Sequence, residues 1–167
     1  MKNMILAVLL LVALLLFPAV CGAGQQVTVG LQAGQQAPDF SLQLHSGEDV
    51  TLSELQGKPV VLNFYTTWCP PCQLEMPDFQ KIYEEYGDLL HMLGVSAGEE
   101  IAVVDAFLAE TGYTYPMAYD PAGTVSSAYS IDFIPQTWIL DSDGIIVEYI
   151  AGMTTESALK EILDSLL

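Results

Sequence analysis

The chain has 167 residues, with 21 acidic side chains against four basic ones, all lysine, and a formal net charge of −17. A surface this acidic repels nucleic acid and anionic lipid headgroups, which excludes both as partners of the domain. Its three cysteines are too few for a disulfide-stapled miniprotein, while a hydrophobic fraction of 51% suffices for one domain with a proper core.

The chain begins with an apolar segment. Lys2 precedes a charge-free apolar run from Met4 to Val20, and small residues surround Cys21. This order is typical of a secretion signal, although the run is also just long enough for a membrane span. We therefore expect residues 1–21 to be a signal peptide or a retained N-terminal membrane anchor, with lipid attachment at Cys21 as an open alternative. In each case the rest of the chain is exported.

Residues 22–36 are rich in glycine and glutamine and lack aromatic residues, which predicts a flexible linker. The domain then occupies residues 37–167. It opens with two short stretches of alternating apolar and polar residues around Ser46-Gly47, a pattern that predicts a hairpin. Residues 53–57 resemble one helical turn closed by glycine. The apolar run Val60 to Tyr65 is typical of a strand buried on both faces.

The motif Cys69-Pro70-Pro71-Cys72 follows that strand directly. Proline fits the first turn of a helix, so the pattern predicts a helix from about Cys72 to Tyr86, kinked by Pro77. The residues expected to face inward from it are Met76, Phe79, Ile82, Tyr83 and Tyr86.

Strands and helices alternate in the remainder of the chain. We expect a strand over 90–96, a helix over 99–111, a strand over 115–119, a brief helix capped by Asp120, a hairpin of strands 137–140 and 145–150, and a closing helix over 155–166. The apolar side of the helix over 99–111 should consist of Ile101, Val104, Phe107 and Leu108. This order predicts an α/β fold, with a mixed central sheet flanked by helices.

Two sulfurs one helical turn apart are suited to thiol–disulfide exchange, in which a thiolate attacks and a second thiol resolves the mixed disulfide. At the positive end of a helix, N–H groups lower the pKa of the Cys69 thiol. Cys72 lies one turn further in and is better covered. We therefore expect Cys69 to be the nucleophile, Cys72 to be the resolving thiol, and the pair to cycle through a disulfide without a cofactor.

Several further motifs resemble the TlpA/ResA-like branch of membrane-associated thioredoxin-fold proteins. They are Ala37-Pro38-Asp39-Phe40, the run from Gly57 to Phe64, Trp68-Cys69-Pro70-Pro71-Cys72, Glu75-Met76-Pro77 and Ile134-Pro135-Gln136-Thr137. Their order and spacing match over nearly all of residues 37–167. The resemblance implies a thioredoxin fold with an N-terminal hairpin and a central insertion, here about residues 99–119. It also implies a monomer that acts on exported protein thiols, such as those of apocytochromes c, with a membrane dithiol as electron donor.

The same resemblance implies roles for residues around the dithiol. Pro135 corresponds to a proline that follows a cis bond and, together with Ile134, places backbone beside the dithiol to pair with substrate. Trp68 should cover the sulfurs and offer apolar contact. Pro70 and Pro71, between the cysteines, join these residues as the expected substrate-contacting surface.

Glu75 matches an acidic residue that tunes the cysteines in such proteins. Its carboxylate should lie on the same helix face as Cys72, raise thiol pKa values and relay the resolving proton. Asn63 stands where cytoplasmic thioredoxins have a buried aspartate, which leaves Glu75 as the proton-transfer group. The negative field of the chain opposes a strongly lowered pKa at Cys69, which favours a reductase.

Two other functions use the same cysteines. Two thiolates can bind Cu(I), so a copper or metal carrier is one alternative. A peroxiredoxin-like peroxidase is the other, but its pattern requires a proline where Leu62 stands, and an arginine, which this chain lacks. His45 and His91 are the only histidines, and we assign them neither a metal-binding nor a catalytic role.

Overall fold

The computed structural model of the chain describes residues 27–167. The expected signal peptide or anchor over 1–21, including Cys21, lies outside these residues. Within residues 27–167, no helix combines the length and apolar character that crossing a membrane requires.

Along the described residues, seven strands alternate with four α-helices. The strands are β1 (Ser41–Leu44), β2 (Asp49–Thr51), β3 (Val60–Tyr65), β4 (His91–Ala97), β5 (Met117–Asp120), β6 (Gln136–Leu140) and β7 (Ile146–Ala151). The helices are α1 (Pro70–Tyr86), α2 (Ile101–Thr111), α3 (Thr124–Ala128) and α4 (Glu156–Leu163), with 3-10 turns at Leu52–Leu55 and Gly87–Leu89. Every predicted helix and strand is present, with boundaries displaced by a few residues.

The strands form one mixed sheet in the order β2-β1-β5-β4-β3-β6-β7. Strands β3, β4 and β5 are parallel, and every other neighbouring pair is antiparallel. The predicted N-terminal hairpin is β1–β2, and it extends the sheet by pairing β1 with β5. Strand β3 lies between β4 and β6, so the segment that follows it emerges from the middle of the sheet.

Strand β3 divides the core into two halves. All six of its residues are buried, and successive side chains point to opposite faces of the sheet. Val61 and Tyr65 belong to the apolar cluster that includes residues of α1, α2 and α4, whereas Leu62 and Phe64 belong to the cluster that includes residues of α3. By the same alternation, Asn63 faces α1, whose first turn contains the second cysteine of the motif.

One residue expected to face inward does not. Ile101 is 40% exposed, whereas Val104 and Leu108 on the same helix are buried. Helix α2 begins at Ile101 rather than at Glu99, and helical side chains lean toward the N-terminus. The Ile101 side chain therefore extends past the start of the helix into solvent, and the buried line of α2 runs through Val104 and Leu108.

Backbone hydrogen bonds begin ahead of the expected domain boundary at Ala37. The Gly34 amide donates to the Ile146 carbonyl at 2.8 Å, the Ile146 amide donates to the Gln35 carbonyl at 2.9 Å, and the Ala37 amide donates to the Gly144 carbonyl at 3.1 Å. The end of the expected linker over 22–36 is thus held against the start of β7. Glycine and glutamine composition does not reveal this contact, because most of its hydrogen bonds join backbone atoms; the Gln36 side chain adds one to the Gly144 carbonyl, at 3.0 Å.

Candidate active site

Cys69 and Cys72 are joined by a disulfide at the N-terminus of α1, with their Cα atoms 5.3 Å apart. Cys69 is the N-cap residue, and its Sγ accepts a hydrogen bond from the Cys72 amide at 3.2 Å. Pro70 and Pro71 occupy the first helical turn, as predicted, where their lack of an N–H leaves no hydrogen bond unmade. The Cys69 sulfur therefore lies at the helix end that favours a thiolate once the disulfide is reduced.

Both sulfurs are well covered in the disulfide form. Cys69 is 2% exposed and Cys72 is fully buried. The reason for the small exposed fraction of Cys69 is the capping contact, since a sulfur that accepts a bond from the Cys72 amide is turned in toward the helix. Of the two cysteines, Cys72 is the more completely covered.

Glu75 lies on the buried face of α1, three residues after Cys72, a spacing that brings side chains together on one face. It is 1% exposed. The Asn63 side-chain amide donates to its Oε1 at 2.9 Å, and the Thr154 backbone amide donates to its Oε2 at 2.9 Å. Burial raises the Glu75 pKa from 4.5 to about 7, and these two hydrogen bonds only partly oppose the rise. A carboxyl group with this pKa can give or take a proton near neutral pH.

Asn63 links this carboxyl group to the sheet. It is fully buried on β3, and its Nδ2 donates both to Glu75 and to the Thr137 hydroxyl on β6, at 3.0 Å. Because an amide does not titrate, Asn63 orients Glu75 without competing for its proton.

The residues expected to contact substrate lie on two separate segments. The Ile134–Pro135 peptide bond is cis, as predicted. Ile134 is half-buried and packs against the apolar cluster that contains both cysteines. Trp68, the residue before Cys69, is 69% exposed, so it is not part of the core.

A second buried carboxyl group binds the segment just before Cys69, and sequence reasoning missed it. Glu99 is 7% exposed, and Thr67 donates to it twice, from its amide at 2.8 Å and from its hydroxyl at 2.6 Å. The sequence pattern predicts Glu99 only as the start of a helix. A signal was present, because Glu99 follows β4, the parallel neighbour of β3, and parallel strands end at the same edge of a sheet.

The histidines lie apart from this chemistry. His45 Nδ1 contacts Asp105 at 2.9 Å and the Tyr119 hydroxyl at 2.8 Å, while His91 is half-buried at the start of β4. Among residues 27–167, no three histidine, cysteine, aspartate or glutamate side chains converge in a way that could hold a metal ion.

Comparisons with known proteins agree with this site. Residues 33–149 match the model of the AhpC/TSA family. Thioredoxin-like protein YneN of Bacillus subtilis is 41% identical over 139 residues, covering 81% of each chain. The thiol-disulfide oxidoreductase ResA of Halalkalibacterium halodurans is 37% identical over 134 residues, covering 80% of this chain and 76% of the relative.

The fold of the chain is also similar to that of solved thioredoxin-like proteins. The crystal structure of the exposed lipoprotein thioredoxin Etrx1 from Streptococcus pneumoniae superposes with a TM-score of 0.71 at 29% identity, covering 77% of this chain and 100% of that one. The thioredoxin fold predicted from the motifs is therefore confirmed. Together with the paired cysteines at the start of α1, these likenesses establish that the chain belongs to the AhpC/TSA family and is a thiol–disulfide oxidoreductase.

Proposed function

We propose that the protein is a reductase of disulfides in exported proteins. The reduced Cys69 thiolate attacks a substrate disulfide, forming a mixed disulfide and releasing one substrate thiolate. The Cys72 sulfur then attacks Cys69 Sγ, which closes the Cys69–Cys72 disulfide and releases the second substrate thiolate. The dithiol loses two electrons and the substrate gains them.

The observation that carries the exchange step of this proposal, with Cys69 as the attacking sulfur, is the position of Cys69 as the N-cap of α1, where its Sγ accepts a hydrogen bond from the Cys72 amide. The N–H groups of a helix stabilise a thiolate most strongly at this position. Cys72 is one turn inside and fully buried, so it meets a disulfide only after Cys69 has engaged it.

Glu75 is proposed to handle the proton of the resolving thiol. Cys72 must lose its proton before it can attack, and Glu75 lies three residues further along the same helix face. Its pKa of about 7 allows its carboxylate to take that proton at neutral pH and to return it after reduction of the disulfide.

The reducing direction is supported by charge. The chain carries a net charge of −17, and two carboxyl groups, Glu75 and Glu99, are buried around the dithiol segment. Negative charge disfavours a thiolate, which makes the reduced form less stable relative to the disulfide. A dithiol whose reduced form is less stabilised is the better reductant.

The location and substrate class are proposed from the N-terminal segment and from the resemblance. An apolar start followed by small residues is typical of export, by cleavage, lipid attachment at Cys21 or retention as an anchor. The similar Etrx1 is an exposed lipoprotein. Exported cysteines, such as those of apocytochromes c, are the proposed substrates, and a membrane dithiol carrier is the proposed electron donor.

Trapping tests the proposal. In cells that make the full-length chain, Cys72→Ser should accumulate mixed disulfides through Cys69, and mass spectrometry of the trapped species identifies the substrates. Cys69→Ser is the matched control and should trap far less. Equal trapping by the two variants would contradict the assigned roles, and trapping confined to cytoplasmic proteins would contradict export.

A redox titration of the purified domain tests the direction. Equilibration with dithiol buffers should give a reduction potential in the range of reductants such as thioredoxin, about −270 mV, or lower. A potential near that of a dedicated oxidant, about −120 mV, would contradict a reductase.

Two further assays separate the alternative functions. Tight stoichiometric Cu(I) binding by the reduced protein, lost in Cys69→Ser, would support a metal carrier. Rapid consumption of peroxide that depends on Cys69 would support a peroxidase. We expect neither result.

A further inference from the structure

The segment that leads from β3 into the cysteine motif is held at one residue, Thr67. Its amide and its hydroxyl donate to the two carboxylate oxygens of Glu99, at 2.8 and 2.6 Å. Its carbonyl accepts a hydrogen bond from the Gln73 side chain on α1, at 2.6 Å. Every polar group of Thr67 is therefore bound by a side chain from a different part of the fold.

Glu99 is itself placed by the end of the neighbouring strand. Gly98, with a φ of +69° that favours glycine, turns the chain between β4 and α2. The Gly98 amide donates to the Asp120 carbonyl at the end of β5, at 3.0 Å. The Glu99 carboxyl group thus projects from a fixed turn, and the fold tolerates its burial because Thr67 supplies two hydrogen bonds.

Thr67 is two residues before Cys69, with the exposed Trp68 between them. Two residues of chain span at most about 7 Å, so the Glu99 carboxyl group lies within roughly 12 Å of the Cys69 backbone. This short segment is the covalent connection between the residue that Glu99 binds and the attacking sulfur.

We propose that Glu99 is a positioning residue for thiol–disulfide exchange. By binding Thr67 it fixes the segment that presents Trp68 and Cys69 to the substrate, and it keeps a carboxylate within roughly 12 Å of the Cys69 backbone. This inference rests on the proposed role of Cys69 as the nucleophile, and it adds a residue that the cysteine motif does not contain.

A purely structural role makes a different prediction. If Glu99 only joined two loops, its replacement would lower the free energy of unfolding and leave the chemistry of Cys69 in the folded protein unchanged. If Glu99 positions Cys69, then the thiol pKa and the rate of attack by the thiolate change in the folded protein as well.

The experiment measures both quantities in the Cys72→Ser background, where Cys69 is the reacting thiol of the domain. The Cys69 pKa comes from the pH dependence of iodoacetamide labelling, and the pH-independent rate comes from formation of a mixed disulfide with insulin. Glu99→Gln keeps the shape and removes the charge, Thr67→Val removes the hydroxyl donor, and Thr67→Ser retains it. Glu100→Gln, at the exposed neighbouring residue, is the control for loss of one charge.

We expect Glu99→Gln to lower the Cys69 pKa by roughly 0.3 to 1 unit, because a like charge within roughly 12 Å is removed. Glu99→Gln and Thr67→Val should slow the pH-independent attack on insulin about 3- to 10-fold, because the sulfur is less well oriented. Thr67→Ser should restore the rate, and Glu100→Gln should leave both quantities at their starting values.

The proposal is overturned if Glu99→Gln and Thr67→Val match Glu100→Gln in both measurements, whatever their stability. It is also overturned if Thr67→Ser is as slow as Thr67→Val. Failure of the proposed function gives a different result. The unsubstituted dithiol would then not reduce insulin at all, while the iodoacetamide pKa would still report on Glu99.

Discussion

The carboxyl group of Glu75 lies 2.9 Å from the side-chain amide of Asn63, and this buried hydrogen bond joins helix α1 to the central strand β3 one turn beyond the dithiol. Thr154, in the loop before α4, completes the arrangement by donating its backbone amide to the other oxygen, at 2.9 Å. Three separate parts of the fold therefore converge on one titratable group. Its protonation should change the free energy of unfolding, and its pKa should depend on these partners.

The first prediction concerns the pH dependence of stability. Because the Glu75 pKa is raised from 4.5 in the unfolded chain to about 7, the folded state binds the proton more tightly. The stabilisation is complete below about pH 4.5 and is lost as the pH rises through about 7. Across this window the titration of Glu75 should lower the free energy of unfolding by about 3 kcal/mol, at 1.36 kcal/mol per pKa unit. Denaturant unfolding of the disulfide form measures this decline.

Glu75→Gln should remove that decline, since the amide does not titrate. Glu100→Gln removes the same charge from an exposed site and should keep the decline. If the slope of stability against pH is the same in Glu75→Gln as in the unsubstituted protein, then Glu75 does not titrate near 7.

The second prediction concerns Asn63. Its hydrogen bond lowers the Glu75 pKa, so Asn63→Leu should raise that pKa above about 7. The variant should also lose about 1–3 kcal/mol of stability, because a buried carboxyl oxygen is left without a donor. Carbon-13 NMR titration of the Glu75 carboxyl group measures the shift directly.

Thr137→Val is the matched control for this variant. It removes the other partner of the Asn63 amide and leaves the bond to Glu75 in place. Stability should fall, but the Glu75 pKa should change less than in Asn63→Leu. A Glu75 pKa that falls in Asn63→Leu would show that the bond between them does not stabilise the carboxylate.

The third prediction concerns the short helix α3. Asp120 is 2% exposed, and it accepts hydrogen bonds from the Ser126 amide and hydroxyl, both at 2.7 Å, and from the Val125 amide at 3.3 Å. Asp120→Ala should therefore lower the free energy of unfolding by about 1–3 kcal/mol, measured by denaturant unfolding.

Asp120→Asn, which retains one acceptor oxygen, should lose less than the alanine variant. Asp49→Ala, at an exposed position of β2, is the control for loss of an aspartate. If Asp120→Ala lowers the free energy of unfolding no more than Asp49→Ala does, then these hydrogen bonds do not stabilise the protein.

Local sequence patterns predicted most of the fold, because most elements depend on their own residues. The alternation around Ser46-Gly47 indicated the β1–β2 hairpin, and the prolines between the cysteines indicated the start of α1. The cap of α3 was only partly predicted. Asp120 binds the amides of its first turn, but the N-cap residue is Gly123, which follows Pro121-Ala122.

The parts of the site that the sequence did not reveal depend on contacts distant along the chain. The spacing from Cys72 placed Glu75 on the correct face of α1, but its burial depends on Thr154, 79 residues away. The bond from Thr67 to Glu99 spans 32 residues and arises only once β3 and β4 lie side by side. Pairings of this kind follow from the sheet topology, which local periodicity does not determine.

Competitive alkylation of the reduced protein tests the central claim most directly. Brief exposure to a limiting amount of iodoacetamide at neutral pH, followed by peptide mass spectrometry, reports which sulfur reacts first. We predict that Cys69 is labelled well ahead of Cys72, because Cys69 caps the helix whereas Cys72 is fully buried one turn inside it. Labelling of Cys72 first, or of both cysteines at the same rate, would contradict the account.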